Sequence, residues 1–330
     1  MLVAHKLLQP DIGINCKCSL LTSSGENPLP NSIDEFKAID AHHHIWRLAD
    51  LAWLNGPIQP RIFGDYEAIK QDYSAEDFIA DVTPEGVVGS VYIQVNWPAG
   101  QEVAEAKWVQ ETAQATGWPH AIIGYVDFSS DACAATLKEL SQFSLMRGIR
   151  QQLHWHENPL YKFAPIPDVM NDPRWRQNFA LLQDYDWSFE LQVFASQMPN
   201  AAQLARDFPA TPMVLQHCGM PEDTSSGGMA LWLEGMKRLA AEPNIHCKFS
   251  GLGTFIHENS VSFIGDITSQ CLELFGAERC IYGSNFPIEK IWTRYADIIQ
   301  GFKENLAALP PEDQRSIFYN NARKLYKLTL

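Results

Sequence analysis

Residues 39–46 read IDAHHHIW: an apolar start, an aspartate, three consecutive histidines and a return to apolar side chains. As a strand, the run sends successive side chains to opposite faces, so His42 and His44 share one face and His43 takes the other. Two imidazoles on one face, two residues apart, are spaced to grip a single ion or to flank a single substrate. They do not complete a site. The rest of the chain must supply the other groups, and where it does so depends on the fold.

Outward from that run, short apolar stretches recur at 38–45, 87–96, 121–128, 147–153, 188–194, 212–217, 245–250 and 280–284. Between them lie helical stretches at 75–82, 101–116, 131–143, 173–185, 197–207, 229–241 and 262–275, with 291–307 and 311–326 closing the chain. Ser74 before AEDF, Asp172 before Pro173, and Pro311 with Glu312 are helix-start signals. Strands and helices alternating at this spacing predict βαβ units and a parallel sheet. Eight units favour an α/β fold closed as a (β/α)8 TIM barrel over 33–330. A doubly wound open sheet is the alternative, but no glycine-rich phosphate loop follows the first strand. Residues 1–32 contain Pro10 and end in the linker-like TSSGENPLPNS, so they read as an irregular N-terminal extension.

Composition narrows the function. The chain is 46% hydrophobic and 19% charged, as globular proteins are, and its 39 acidic and 25 basic residues give a net charge of −14. Nucleic acid and anionic membrane both need positive fields, so neither is expected as a partner. A small anionic substrate stays possible, since a few arginines reverse the field inside a pocket. Seven scattered cysteines with no CxxC pair do not make a disulfide framework and fit reduced, mostly buried thiols. No apolar run is long enough to span a membrane, and the N-terminus makes a poor signal peptide. A cytoplasmic location is expected.

In a TIM barrel the chemistry sits at the C-terminal ends of the strands. There the sequence puts Asp40, His42 and His44 on the first strand, His217 in VLQHCGMP, and Asn285 in IYGSNFPIEK. Arg150 ends the fourth strand and is followed by His154 and His156, while Glu190 and Lys248 interrupt the apolar fifth and seventh. Buried charges are costly unless paired or ligated, which singles these residues out. Glu190 and Lys248 either bind substrate or pair with each other inside the barrel. Arg150 suits a substrate carboxylate or loop carbonyls. His43 is assigned to packing behind the barrel.

DAHHHIW, GIRQ, LQHCGMP, KFSGL and YGSNFP, in this order, resemble the amidohydrolase superfamily from Ile39 to the C-terminus. More narrowly they resemble its amidohydrolase-related branch, with fuconolactonase-like, rhamnonolactonase-like and pyrone-dicarboxylate lactonase-like enzymes. The resemblance implies a distorted TIM barrel and a hydrolase that opens a small sugar-acid or carboxylated lactone. It implies a divalent metal, zinc first, on His42, His44 and His217. Catalysis is expected from His217, Asn285 and Arg150, with substrate contacts from Arg150, His154, Glu190 and Lys248. A homo-oligomer is compatible with it. Alternatives are a zinc-dependent decarboxylase of the same branch and a catalytically silent barrel that acts as a binding protein. One position departs from the pattern. The branch usually carries an aspartate, as ligand and base, where this chain has Asn285; Glu289 and Glu190 are the candidate replacements.

Overall fold

The computed structural model describes residues 36–330. The extension assigned to 1–32 lies outside them. Eight parallel strands form one sheet in sequence order: β1 (Ala38–His43), β2 (Val87–Ile93), β3 (Ala121–Gly124), β4 (Met146–Arg150), β5 (Ser188–Leu191), β6 (Met213–Leu215), β7 (Ile245–Phe249) and β8 (Cys280–Tyr282). Each falls within or against an apolar run read from the sequence, and the helices alternate with them as expected. The fold is a TIM barrel. Its strands are shorter than the apolar runs because their last residues leave the ladder to become loops at the barrel mouth. At the other end of the chain, the stretch expected as one helix over 311–326 contains a wide turn at Ser316–Asn320 between two short helices.

The helices start where local chemistry satisfies their free N–H groups. Ser74 and Asp77 form a reciprocal capping box at Ala75–Val82, Asp172 caps Pro173–Phe179, and Ser260 caps Val261–Phe275. No helix among the described residues is long and apolar enough to cross a membrane.

The barrel closes where β1 meets β8. Asn285 N donates to His42 O (2.7 Å) and His44 N donates to Phe286 O (2.8 Å). Beside these bonds the buried Asp40 carboxylate accepts from His42 N (3.0 Å), Ser284 N (2.9 Å), Ser284 Oγ and Tyr295 OH (3.1 Å). Gly283 is required here, because a Cβ on it would lie 2.8 Å from His42 Cβ. Inside the barrel, Ile39, Ala41, Val91, Ile93, Ala121, Ile123, Val214 and Ile281 form one cluster, against which Ala322, Tyr326 and Leu328 of the C-terminal segment pack. The other faces of the strands join the larger cluster beneath the helices.

Strict alternation does not by itself explain the histidine run. Ile39 and Ala41 point inward, so an unbroken strand would turn His43 inward too. The pairing of β1 with β2 slips between Asp40 and His43. That irregularity resets the period, sending His42 toward the interior and stacking His43 on Phe78 outside, with ring centroids 3.8 Å apart.

Candidate active site

The C-terminal mouth of the barrel holds a cavity of about 310 Å³, lined by His44, Arg150, His154, His217 and Asn285 among others. His42 lies just beneath it, fully buried, with ring centroids 5.1 Å from His44 and 4.7 Å from His217. The residues read from the strand ends therefore come together.

Each imidazole is held differently. His44 Nδ1 bonds Ile93 O (2.8 Å), and the other side of its ring is within hydrogen-bond reach of the Asn285 side chain. His217 Nδ1 meets Ser250 Oγ at 2.9 Å, which leaves Nε2 free. Neither nitrogen of His42 has a hydrogen-bond partner. Burial is the largest cause of the depressed basicity of all three, with neighbouring cations adding to it: His44 falls to about 3, and His42 and His217 lie well below the usual imidazole range. They are neutral and able to accept.

Backbone geometry aims these side chains. His217, Cys218, Gly219 and Met220 all adopt positive φ, at 54°, 51°, 72° and 49°, so the chain turns sharply as it leaves β6. Such conformations are uncommon for non-glycine residues and cluster at functional sites. Gly251, of the KFSGL stretch, makes room for the result: a Cβ there would sit 2.3 Å from His217 Nδ1. Asn285 also has positive φ (62°), a conformation asparagine and aspartate tolerate better than most residues.

Arg150 is buried and donates through one terminal nitrogen to Gln94 O, while its Nε has no partner. Burial lowers its pKa to about 10, so it stays a cation at neutral pH. His154 lines the cavity with an unpartnered Nδ1 and a pKa lowered to about 3, mainly by burial.

Glu190 and Lys248 lie elsewhere. Both are fully buried and pair at 2.7 Å inside the barrel; Lys248 also donates to Ala41 O (2.8 Å), and Glu190 accepts from Tyr326 OH and Gln216 Nε2. Neither lines the cavity. The expectation that they contact substrate is corrected accordingly: with every polar atom of the pair satisfied within the protein, they form the ion pair weighed as the alternative.

The carboxylate nearest the missing aspartate is Glu289. It is buried behind Asn285 and accepts from Trp292 Nε1 (2.9 Å), Thr254 Oγ1 (3.4 Å) and Asn285 Nδ2 (3.4 Å). Burial raises its pKa to about 7. Gly253 makes its cradle, since a Cβ there would come within 2.4 Å of the carboxylate.

Zinc bound to three nitrogens at about 2.0–2.1 Å needs those atoms roughly 3.4 Å apart. Among the described residues, the one trio of His, Cys, Asp or Glu with ligand atoms all within 4.8 Å of one another is Cys218, Cys247 and Cys271. His42, His44 and His217 share one mouth, and their free nitrogens are the right donors, but they are not drawn in to the spacing of a closed three-histidine cage. A divalent ion held by all three would have to draw these rings together, and it would supply a Lewis acid for a carbonyl oxygen or for water.

The amidohydrolase family model matches residues 39–328. The chain belongs to the amidohydrolase family. Within it, the chain is 34% identical to an uncharacterised protein of Sinorhizobium fredii, covering 90% of this chain and all of that one. It is 28% identical to an L-fucono-1,5-lactonase of Burkholderia ambifaria, covering 78% and 83%. A crystal structure of a Burkholderia multivorans amidohydrolase with bound zinc superposes with a TM-score of 0.75 at 23% identity, covering 89% of this chain and all of that one.

This amidohydrolase-family site also contains groups that the sequence reading missed. Trp46, Trp53, Arg61 and Phe63 reach the cavity from the long loop after β1, and Tyr161, Lys162 and Phe163 from the loop after β4. Glu105, on the helix Glu102–Thr116, fixes the loop after β2 by accepting from Tyr92 OH (2.8 Å) and Val95 N (2.7 Å). The tryptophan-rich WRLADLAW at 46–53 was the available signal for the first loop.

Proposed function

We propose that this protein is a hydrolase that opens a small lactone by attack of water at the barrel mouth. The observation that carries the reading is the convergence of polar groups on one cavity: Arg150, whose Nε has no partner, His154 with its unpartnered Nδ1, His217 with Nδ1 held at Ser250 and Nε2 left over, and the His44–Asn285 pair. Lactone opening needs a cation or donor where negative charge develops on the carbonyl oxygen, and the buried Arg150 supplies it. It also needs a group to take a proton from water. His217 is neutral, with Nδ1 held at Ser250 Oγ. Its basicity, depressed by burial and by Arg150, recovers as the developing oxyanion offsets the Arg150 charge, and Nε2 receives that proton as the water oxygen bonds to the carbonyl carbon. The same proton returns to the ring oxygen as the C–O bond breaks, giving a hydroxy acid. Asn285 orients the water, with Glu289 behind it fixing the amide. The similarity to an L-fucono-1,5-lactonase supports lactones as the substrate class.

A second reading, decarboxylation of an aromatic or unsaturated acid, is favoured by the six aromatic side chains of the cavity: Trp46, Trp53, Phe63, Tyr161, Phe163 and Phe255. One experiment separates the two. A panel of lactones and unsaturated acids is read by proton release and by CO2 release, with and without chelator. Proton release on lactones without CO2 supports hydrolysis; CO2 evolution without lactone opening replaces it. The chelator arm separates a metal-dependent reaction from one run by side chains alone.

A further inference from the structure

The charge lining this cavity is all of one sign. Arg61, Arg150 and Lys162 face it, and no aspartate or glutamate does. None of the three cations takes part in an ion pair among the described residues. That is notable in a chain with 39 acidic and 25 basic residues, where carboxylates are in surplus and other arginines find them, as Arg174 finds Asp131 and Arg294 finds Asp297. The Nε atoms of Arg61 and Arg150 are buried with no partner of any kind.

The cations occupy two levels. Arg150 is deep, beside the histidines. Arg61 and Lys162 stand nearer the rim, on the loops after β1 and β4, and aromatic faces hold both: Arg61 lies 5.6 Å from the centroid of Trp53, and Lys162 lies 5.9 Å from that of Trp155. A guanidinium braced on a ring and left without a counterion is prepared for an anion from outside the protein. With Arg150 engaged at the reacting carbonyl, the rim pair is left for a second acidic group of the substrate.

We propose that Arg61 and Lys162 select a lactone that carries a carboxylate, over a neutral polyhydroxylated one; this rests on the lactonase reading. The deep end takes the lactone carbonyl at Arg150, the aromatic walls take the ring, and the rim takes the carboxylate. Water adds to the carbonyl carbon, the ring C–O bond breaks, and the product leaves with two carboxylates and a new hydroxyl.

The test compares kcat/KM for a carboxylated lactone and for its methyl ester, using the full chain and the Arg61→Gln/Lys162→Gln variant. The acid should be preferred at least about tenfold by the parent, and added salt should erode the preference. In the variant the acid-to-ester ratio should fall toward one, chiefly through KM for the acid. Because the readout is a ratio, a general loss of activity cancels. Equal turnover of acid and ester by the parent, or a ratio unchanged in the variant, overturns the proposal while the lactonase reading stands. If no lactone turns over, the lactonase reading fails, and calorimetry with the carboxylated lactone and its ring-opened dicarboxylate decides the anion site separately. Binding that weakens tenfold in the variant supports it, and absence of binding overturns it.

Discussion

Two sets of ionisable side chains lie inside one barrel, and they are treated in opposite ways. Below, Lys248 and Glu190 pair at 2.7 Å and are closed off by Ala41 O, Gln216 and Tyr326. Above, Arg150 and the histidines keep unpartnered nitrogens against a cavity. Arg150 is in register with Glu190 on the adjacent strand, yet Glu190 is committed to Lys248 and Arg150 to a backbone carbonyl. Position on a strand does not separate structural from functional charge. What separates them is whether each polar atom is already satisfied by the protein.

The largest expected effect tests the lower set. Lys248→Met leaves Glu190 buried without its cation and should cost about 3–5 kcal/mol of unfolding free energy in urea titrations. Arg150→Gln should instead leave the urea midpoint nearly unchanged and lower kcat/KM by about 10²–10³, as for loss of one oxyanion donor. Should the stability loss fall on Arg150→Gln and spare Lys248→Met, the two regions have been assigned the wrong way round.

A smaller effect is expected within the upper region, where β8 meets β1. Asn285→Ala should lower kcat/KM by about 10–100-fold, the range for a group that positions reacting partners. Alanine is also strained at a φ of 62°, so Asn285→Asp is the cleaner companion, since aspartate tolerates that backbone. An Asn285→Ala enzyme that matches the parent at every pH would remove the last-strand position from the mechanism.

The remaining effect is a pH dependence. Glu289 titrates near 7 in the folded protein, above its ordinary 4.5, because burial disfavours its charge. The folded state thus binds the extra proton, and that stability is fully present below the unfolded pKa and lost as pH rises through about 7. Relative to Glu289→Gln, the parent should lose stability between about pH 5 and about pH 8. Asp40 and Glu105 are raised as well, to about 6 and about 7, but they are common to both proteins and cancel in the difference. An inflection of kcat/KM near neutrality should vanish in the same variant. Parallel stability curves would show that Glu289 is ionised throughout.

The eight strands were legible because parallel strands, covered on both faces, read as short apolar runs between helical segments. His42, His44, His217, Arg150 and Asn285 were legible because each is a polar residue ending such a run. The slip within β1 was not, since nothing in IDAHHHIW marks where the register changes. Nor was the choice between pairing and substrate contact for Glu190 and Lys248, which are 58 residues apart in sequence and meet only across the closed barrel. Arg61 and Lys162 escaped notice for a different reason: loops have no period to betray which side chains face inward.

The closure of the barrel has one more consequence. The hydrogen bonds that join β1 to β8 are made by His42, His44, Asn285 and Phe286, three of which also carry the site's side chains. The first and last strands are thus clasped at the place where substrate is held. A ligand bridging His44 and Asn285 would brace the clasp, and slower amide exchange at His44 and Asn285 would record it. Conversely, transient parting of the clasp would scatter the site without unfolding the other strands. In this barrel the join of the first and last strands and the place of chemistry share the same few residues, so occupancy should stabilise the closure itself.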